Sequence, residues 1–300
     1  MSSEVYKTKK SLGQHWLFDE LSLGAMLTAG EIASTDTVLE VGPGLGTLTK
    51  KLCEKADQVI AVELDDKLAA DLHQNLTRRQ GSSFLHSIEV EHKLRQESST
   101  QNITEGDADN NLILHKTNNL EVVNQSILDY DTSDLPKNYK VIANIPYYLT
   151  SNLIRKMLES ENPPSIMVLL IQKEVAERIA AGPGEMSILA VATQFYAEVA
   201  LKELVPAELF TPPPKVDSQI IQIKRRESPL FPGVDSKQFF TLVRAGFSEK
   251  RKKLRSSLSG SLQISKQEAD ALLKSANISP DARAQELSLE QWHQIYRASL

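Results

Sequence analysis

The apolar residues of this chain fall into short continuous runs separated by stretches of helical spacing. Val38, Leu39 and Val41 suit a strand buried on both faces, and the segment from Thr47 to Leu52 resumes at the period of a helix. A second strand at 59–62 ends in Glu63, and 65–78 reads as an amphipathic helix through Leu68, Ala69, Leu72 and Leu76. Ahead of them, 19–31 is helical in pattern, with Leu21, Leu23, Met26 and Leu27 available for a buried face. From Gln80 to Asn119 the pattern dissolves into Ser, Asn, Gln, Glu and Asp, which predicts a polar insertion. Strands resume at 120–123 and 139–143, then a helix at 150–158, a strand at 165–171, helices at 172–180 and 187–196, and strands at 197–204 and 216–224. Each strand–helix step returns the chain to the same edge of a sheet, so an α/β arrangement is expected. Past Pro229 to Pro232 the pattern is helical, with Phe239, Phe240, Val243 and Phe247 on one face. Two domains follow from this, 1–228 around the sheet and 229–300 of helices.

Chemistry enters where the first strand meets its helix. Gly42, Gly44 and Gly46 remove the β-carbons that would keep a backbone from turning sharply or approaching a ligand closely. Glu63, at the end of the next strand, is placed to accept both hydroxyls of a ribose. The spacing is not the Gly-x-Gly-x-x-Gly of dinucleotide binders, whose longer turn seats a pyrophosphate. The tighter turn favours S-adenosylmethionine over NAD, and a purely structural strand-to-helix turn is the bland alternative.

A second motif, Asn144-Ile145-Pro146-Tyr147, closes a later strand. An amide, a proline and an aromatic ring suit an exocyclic amine on a flat ring, whose lone pair is delocalised until its hydrogens are drawn out of plane. The Asn144 side-chain oxygen and the Pro146 carbonyl can accept those hydrogens, and Tyr147 can stack on the ring. Phe210, opening the stiff segment Phe210 to Val216, offers a second stacking face, though proline-rich segments are also rigid connectors. His15, in Gln14-His15-Trp16-Leu17, reads equally as a ligand or as a surface histidine.

Composition narrows the classes. At 300 residues and 41% hydrophobic content the chain can bury a substantial core. No apolar run is long enough to span a bilayer and the first residues lack a signal-peptide core, so a cytoplasmic location is expected. Cys53 is the one cysteine, which excludes an internal disulfide and a cysteine-based metal site. The formal charge of −5 conceals a cluster: from 237 to 258, Lys237, Arg244, Lys250, Arg251, Lys252, Lys253 and Arg255 face only Glu249, a local balance of +6. Lys250, Arg251, Lys252, Lys253 and Arg255 are dense enough to neutralise several phosphates, so nucleic-acid contact is expected there, against the plainer reading of a solvated face.

KKSLGQHWL, EVGPGLGTLT, AVELD, NIPYY, FTPPPKVDS and FSEKRKKLRSSL, in this order over nearly the whole chain, resemble the bacterial small-subunit ribosomal RNA adenine dimethyltransferases. The resemblance implies a Rossmann-like, S-adenosylmethionine-dependent methyltransferase domain with a small helical C-terminal domain. It implies N6-dimethylation of two adjacent adenosines in a hairpin near the 3′ end of 16S rRNA, on a precursor of the 30S subunit. By position, His15, Leu17, Gly42, Gly44 and Glu63 would bind the donor, Asn144, Pro146 and Tyr147 would hold the target adenine, and Phe210 would cover its other face. Neither a metal nor a covalent intermediate is implied, and a monomer is expected. The chain departs from the family in places: Ser126 stands where an Asp usually binds the donor's adenine amine, Trp16 where Phe is common, and the insertion is atypical. Asp107, in Glu105-Gly106-Asp107, matches the usual wording but is too far from Asn144, so Ser126 is taken as the donor-site residue. The Ser126 departure leaves a second reading, an RNA-binding assembly factor with weakened or lost chemistry.

Overall fold

The computed structural model describes residues 14–77, 119–228, 230–249 and 251–300. Lys7, Lys9, Lys10, Asp107, Lys250 and all but the last residue of the expected 80–119 insertion lie outside them. Two compact units are formed, one from Met1–Gln172 with Lys202–Gln222, the other from Lys173–Leu201 with Ile223–Leu300.

The elements of the first unit follow the predicted rhythm. They are β1 (Trp16–Leu17), α1 (Glu20–Ala29), β2 (Thr37–Val41), α2 (Thr47–Lys55), β3 (Gln58–Glu63), α3 (Asp66–Thr77), β4 (Leu120–Asn124), β5 (Lys140–Asn144), α4 (Thr150–Glu159) and β6 (Ile166–Gln172). The central sheet runs β4-β3-β2-β5-β6-β9-β7, with β7 at Ala197–Val205 and β9 at Ser218–Arg225. Its first five strands are parallel and in register, Val41 opposite Val62, Leu39 opposite Val141 and Val141 opposite Met167. That register accounts for the continuous apolar runs, because strands covered on both faces have no wet side to alternate with.

Asp19 caps α1 by accepting from the Ser22 amide at 2.8 Å. Leu23, Met26 and Leu27 of α1 are buried with Ile142, Val168 and Ile220, but Leu21, expected on that face, is 84% exposed. At the far end of α1 a β-carbon on Gly30 would lie 2.7 Å from Ile142 Cδ1, so a larger residue there would have to push the Ile142 side chain aside where the helix ends against the sheet. Asn119, at the edge of the polar stretch, has a structural task. Its side-chain amide donates to the Cys53 and Ala56 carbonyls at 3.1 and 3.0 Å and so satisfies the last turn of α2. A separate two-stranded sheet pairs β1 with β8 (Phe210–Thr211), Trp16 opposite Thr211 and Leu17 opposite Phe210.

The second unit is helical: α5 (Lys173–Ala180), α6 (Ile188–Tyr196), α7 (Ser236–Phe247), α8 (Leu254–Leu262), α9 (Lys266–Ser275) and α10 (Leu289–Ala298). Ala190, Val191 and Phe195 of α6 share one core with Phe239, Phe240, Leu258 and Trp292. Phe195 is its hub, stacked on Phe239 at 4.9 Å and edge-on to Phe240 at 5.2 Å between centroids. Trp292 is fully buried against Gly246, where a β-carbon would come within 2.3 Å of Cη2. Among the described residues no helix is long and apolar enough to cross a membrane.

Candidate active site

Parallel pairing in register brings the carboxyl ends of β2, β3, β4 and β5 to one edge of the sheet, and a cavity opens there within the first unit. His15, Leu17, Gly42, Gly44, Glu63, Ser126, Asn144, Pro146, Tyr147 and Phe210 all line it, although they come from six separate stretches of chain.

The glycine turn leaves β2 with Gly42, Gly44 and Gly46 at φ of 66°, 57° and 87°, a left-handed conformation that side chains disfavour. The turn is tied to the neighbouring strand. Gly44 N–H donates to Glu63 Oε2 at 3.1 Å, and Asp65 N–H donates to Oε1 at 2.9 Å. Glu63 is 6% exposed, and burial raises its pKa, opposed by these backbone hydrogen bonds. Each carboxyl oxygen keeps a lone pair for a ligand hydroxyl. Asn124, at the end of β4, donates from Nδ2 to the Glu63 carbonyl at 3.0 Å and holds the adjoining strand end in place. Beyond it, Ser126 Oγ accepts from the Leu128 amide at 3.2 Å and retains one lone pair.

On the other side, Asn144 Nδ2 donates to the His15 carbonyl at 3.3 Å. Because a carbonyl only accepts, this contact fixes the amide orientation and leaves Asn144 Oδ1 as the acceptor. The Pro146 carbonyl already accepts from the Leu149 amide at 2.9 Å, which leaves it one further lone pair. The Tyr147 hydroxyl is hydrogen-bonded to Ser218 Oγ at 2.8 Å, and its ring lies 6.1 Å from that of His15, 20° from parallel. His15 Nδ1 stands 2.7 Å from the Pro212 carbonyl, and because a carbonyl only accepts, Nδ1 carries a hydrogen and donates it there. Phe210, 3% exposed, presents little surface, being packed with Leu17, Val205 and Ile220.

Three features escaped the sequence reading. Glu40, 1% exposed and in the middle of β2, also lines the cavity, and burial pushes its carboxyl up to about 8, with the Glu63 charge adding to the shift. The signal was present, since an acid inside an otherwise apolar strand requires a reason. Leu64 and Leu128, partly exposed, and the buried Ile127 add apolar walls beside Glu63 and Ser126. Trp16 lines the cavity as well, with an indole nitrogen that has no hydrogen-bond partner among the described residues.

In the second unit the basic run is partly neutralised by its own surroundings. Lys252 pairs with Glu249 and Lys253 with Asp281, each at 2.8 Å, and Arg255 reaches Asp270 at 3.4 Å and Asp281 at 4.0 Å. Arg251 is exposed, and no ion pair among the described residues involves it.

The family model for ribosomal RNA adenine dimethylase matches residues 5–299. Ribosomal RNA small subunit methyltransferase A of Dehalococcoides mccartyi (strain ATCC BAA-2266 / KCTC 15142 / 195) is 38% identical over 98% of this chain and 89% of its own length. Its counterpart in Latilactobacillus sakei subsp. sakei (strain 23K) is 36% identical over 97% and 89%. Among solved structures, a dimethyladenosine transferase from Plasmodium falciparum superposes with a TM-score of 0.68 at 25% identity, covering 94% of this chain and 96% of that one. The 23S rRNA methyltransferase ErmE gives 0.66 at 26%, covering 94% and 98%.

Proposed function

The chain belongs to the ribosomal RNA adenine dimethylase family and is an rRNA methyltransferase, and we propose that it uses S-adenosylmethionine to dimethylate N6 of two adjacent adenosines near the 3′ end of 16S rRNA in a precursor of the 30S subunit. One observation carries this reading: Glu63, the glycine turn and Asn144 open onto the same cavity, so a donor and an acceptor amine can meet there.

The residues present fit the donor. Glu63 takes the ribose hydroxyls, the remaining lone pair of Ser126 Oγ accepts from the donor's adenine amine, and Leu64, Ile127 and Leu128 enclose the purine. Glu40 Oε2, buried and without a hydrogen-bond partner among the described residues, can accept a hydrogen bond from the ammonium of an amino acid. His15 and Leu17 close the donor pocket, held by the Asn144 contact and by pairing with β8. Bound there, S-adenosylmethionine would supply an electrophilic methyl carbon on sulfur.

This chain's part is to make an adenine amine nucleophilic and aim it. Asn144 Oδ1 and the free lone pair of the Pro146 carbonyl accept the two amine hydrogens, which pulls the nitrogen toward a pyramidal shape and releases its lone pair from the ring. Tyr147, anchored at its hydroxyl by Ser218, stacks on the base and keeps the nitrogen on line. The acceptors are fixed before the base arrives, so little reorganisation is needed during reaction. In the second unit, Arg251, Lys252, Lys253 and Arg255, with Lys250, hold RNA phosphates.

The test is incubation with methyl-labelled donor and undermethylated small subunits, followed by nuclease digestion and mass spectrometry. The proposal expects N6,N6-dimethyladenosine at two neighbouring positions of 16S rRNA. Label confined to other bases, or absent, would overturn it.

A further inference from the structure

Two buried polar atoms that belong to residues lining the cavity have no hydrogen-bond partner among the described residues, and they are opposite in kind: Glu40 Oε2 is an acceptor, and Trp16 Nε1 is only a donor. A donor shut away from water and left unpaired is destabilising, so a partner that comes with the ligand explains its survival. We propose that the Trp16 indole N–H is a binding donor for the carboxylate at the amino-acid end of the methyl donor, an inference that rests on the S-adenosylmethionine reading above.

The glycine turn itself supports this. Glycine turns before a helix often bind anions through their own N–H groups, but here all three glycines have spent theirs: Gly42 N–H on the Val62 carbonyl at 2.9 Å, Gly44 N–H on Glu63 Oε2 at 3.1 Å, and Gly46 N–H on the Pro43 carbonyl at 3.0 Å. A carboxylate entering beside the turn gets no donor from these glycines, and a side-chain donor there adds to whatever the amides opening α2 supply. Trp16 is in position, since its Cδ1 and Nε1 each lie 3.5 Å from the point where a β-carbon on Gly44 would stand. The indole cannot swing away easily. It packs against Phe18, Leu45 and Leu68, and its backbone is paired with Thr211 in the two-stranded sheet. With Glu40 as acceptor for the ammonium, one unpaired acceptor and one unpaired donor match the two ends of an amino acid in hydrogen-bonding kind.

An unpaired indole nitrogen does not by itself mark a ligand site, and what distinguishes Trp16 is its place on the cavity wall. Trp292 also keeps an unpaired indole nitrogen, but it lies in the helical core of the second unit and does not line this cavity.

The experiment is titration calorimetry of wild type and Trp16→Phe with two ligands, S-adenosylmethionine and its decarboxylated form, which keeps the sulfonium and the amine. Stoichiometry reports the folded fraction separately from affinity, so a partly unfolded variant does not distort the comparison. Loss of a hydrogen bond to a charged group predicts that Trp16→Phe binds S-adenosylmethionine ~10-fold more weakly, while affinity for the decarboxylated ligand changes by less than about twofold. Equal losses for the two ligands, or none for either, would overturn the role given to Trp16. Failure of folded wild type to bind S-adenosylmethionine at all would instead overturn the donor reading beneath it.

Discussion

Replacing Asn144 by alanine removes two things at once, and the structure separates their sizes. The first is Oδ1, an acceptor that acts on the reacting amine. The Pro146 carbonyl cannot take over both amine hydrogens, because one of its lone pairs is committed to the Leu149 amide. By analogy with losing one preorganised group from an oxyanion hole, turnover should fall by roughly 10²–10³. The second loss is the hydrogen bond from Nδ2 to the His15 carbonyl, a long one at 3.3 Å. A bond of this kind contributes about 0.5–1 kcal/mol, so loosening the His15 segment should weaken donor binding by roughly two- to fivefold. Single-turnover methyl transfer at saturating donor measures the first effect, and calorimetry with S-adenosylmethionine the second. A rate within tenfold of wild type would refute the amine-activating role. A loss of donor affinity as large as the loss of rate would show that Asn144 acts on the donor as much as on the amine.

Other expected outcomes test other parts of the account. Glu40→Gln should raise the melting temperature by a margin that grows with pH: the unfolded carboxyl ionises above about 4.5 while the buried one stays protonated to about 8, so wild type loses ~1.4 kcal/mol per pH unit between them. A margin that stays flat from pH 5 to 8 would show that Glu40 is ionised in the folded protein. Gly246→Ala places a methyl group 2.3 Å from the Trp292 ring and should destabilise the second unit by about 1–3 kcal/mol, read as a lower melting temperature. Replacing Arg251, Lys252 and Lys253 together should weaken RNA binding and flatten its dependence on salt, by about 0.9 in logarithmic slope for each phosphate that is no longer neutralised. Asp281→Asn should do the reverse in filter binding, because Asp281 pairs with Lys253 and Arg255; unchanged affinity would remove these cations from the RNA surface.

What was legible in the chain was local. The turn at Gly42 to Gly46, the acid ending β3 and the Asn144 motif each occupy a few consecutive residues whose types dictate a backbone shape or a chemistry. The strands between them could be read because burial on both faces leaves a continuous apolar run. Pairing across long separations left no such trace. Nothing in Trp16-Leu17 or Phe210-Thr211 announces that they pair, and that pairing holds His15 at the site. Likewise the apolar face of α6 is plain in sequence, but its packing with Phe239 and Trp292 is not, since periodicity shows that a face is buried and never against what. Asn119 looked like part of a polar loop because capping a helix some 60 residues earlier depends on where the chain returns.

The account rests most directly on one cavity serving both the donor and the amine. A crystal structure with S-adenosylhomocysteine and adenosine bound together is the sharpest measurement of it. The account predicts the donor ribose on Glu63, the adenosine ring on Tyr147 with its amine at Asn144 Oδ1, and sulfur facing that amine nitrogen. A ribose bound away from Glu63, or a sulfur atom that does not face the Asn144 side chain, would contradict it.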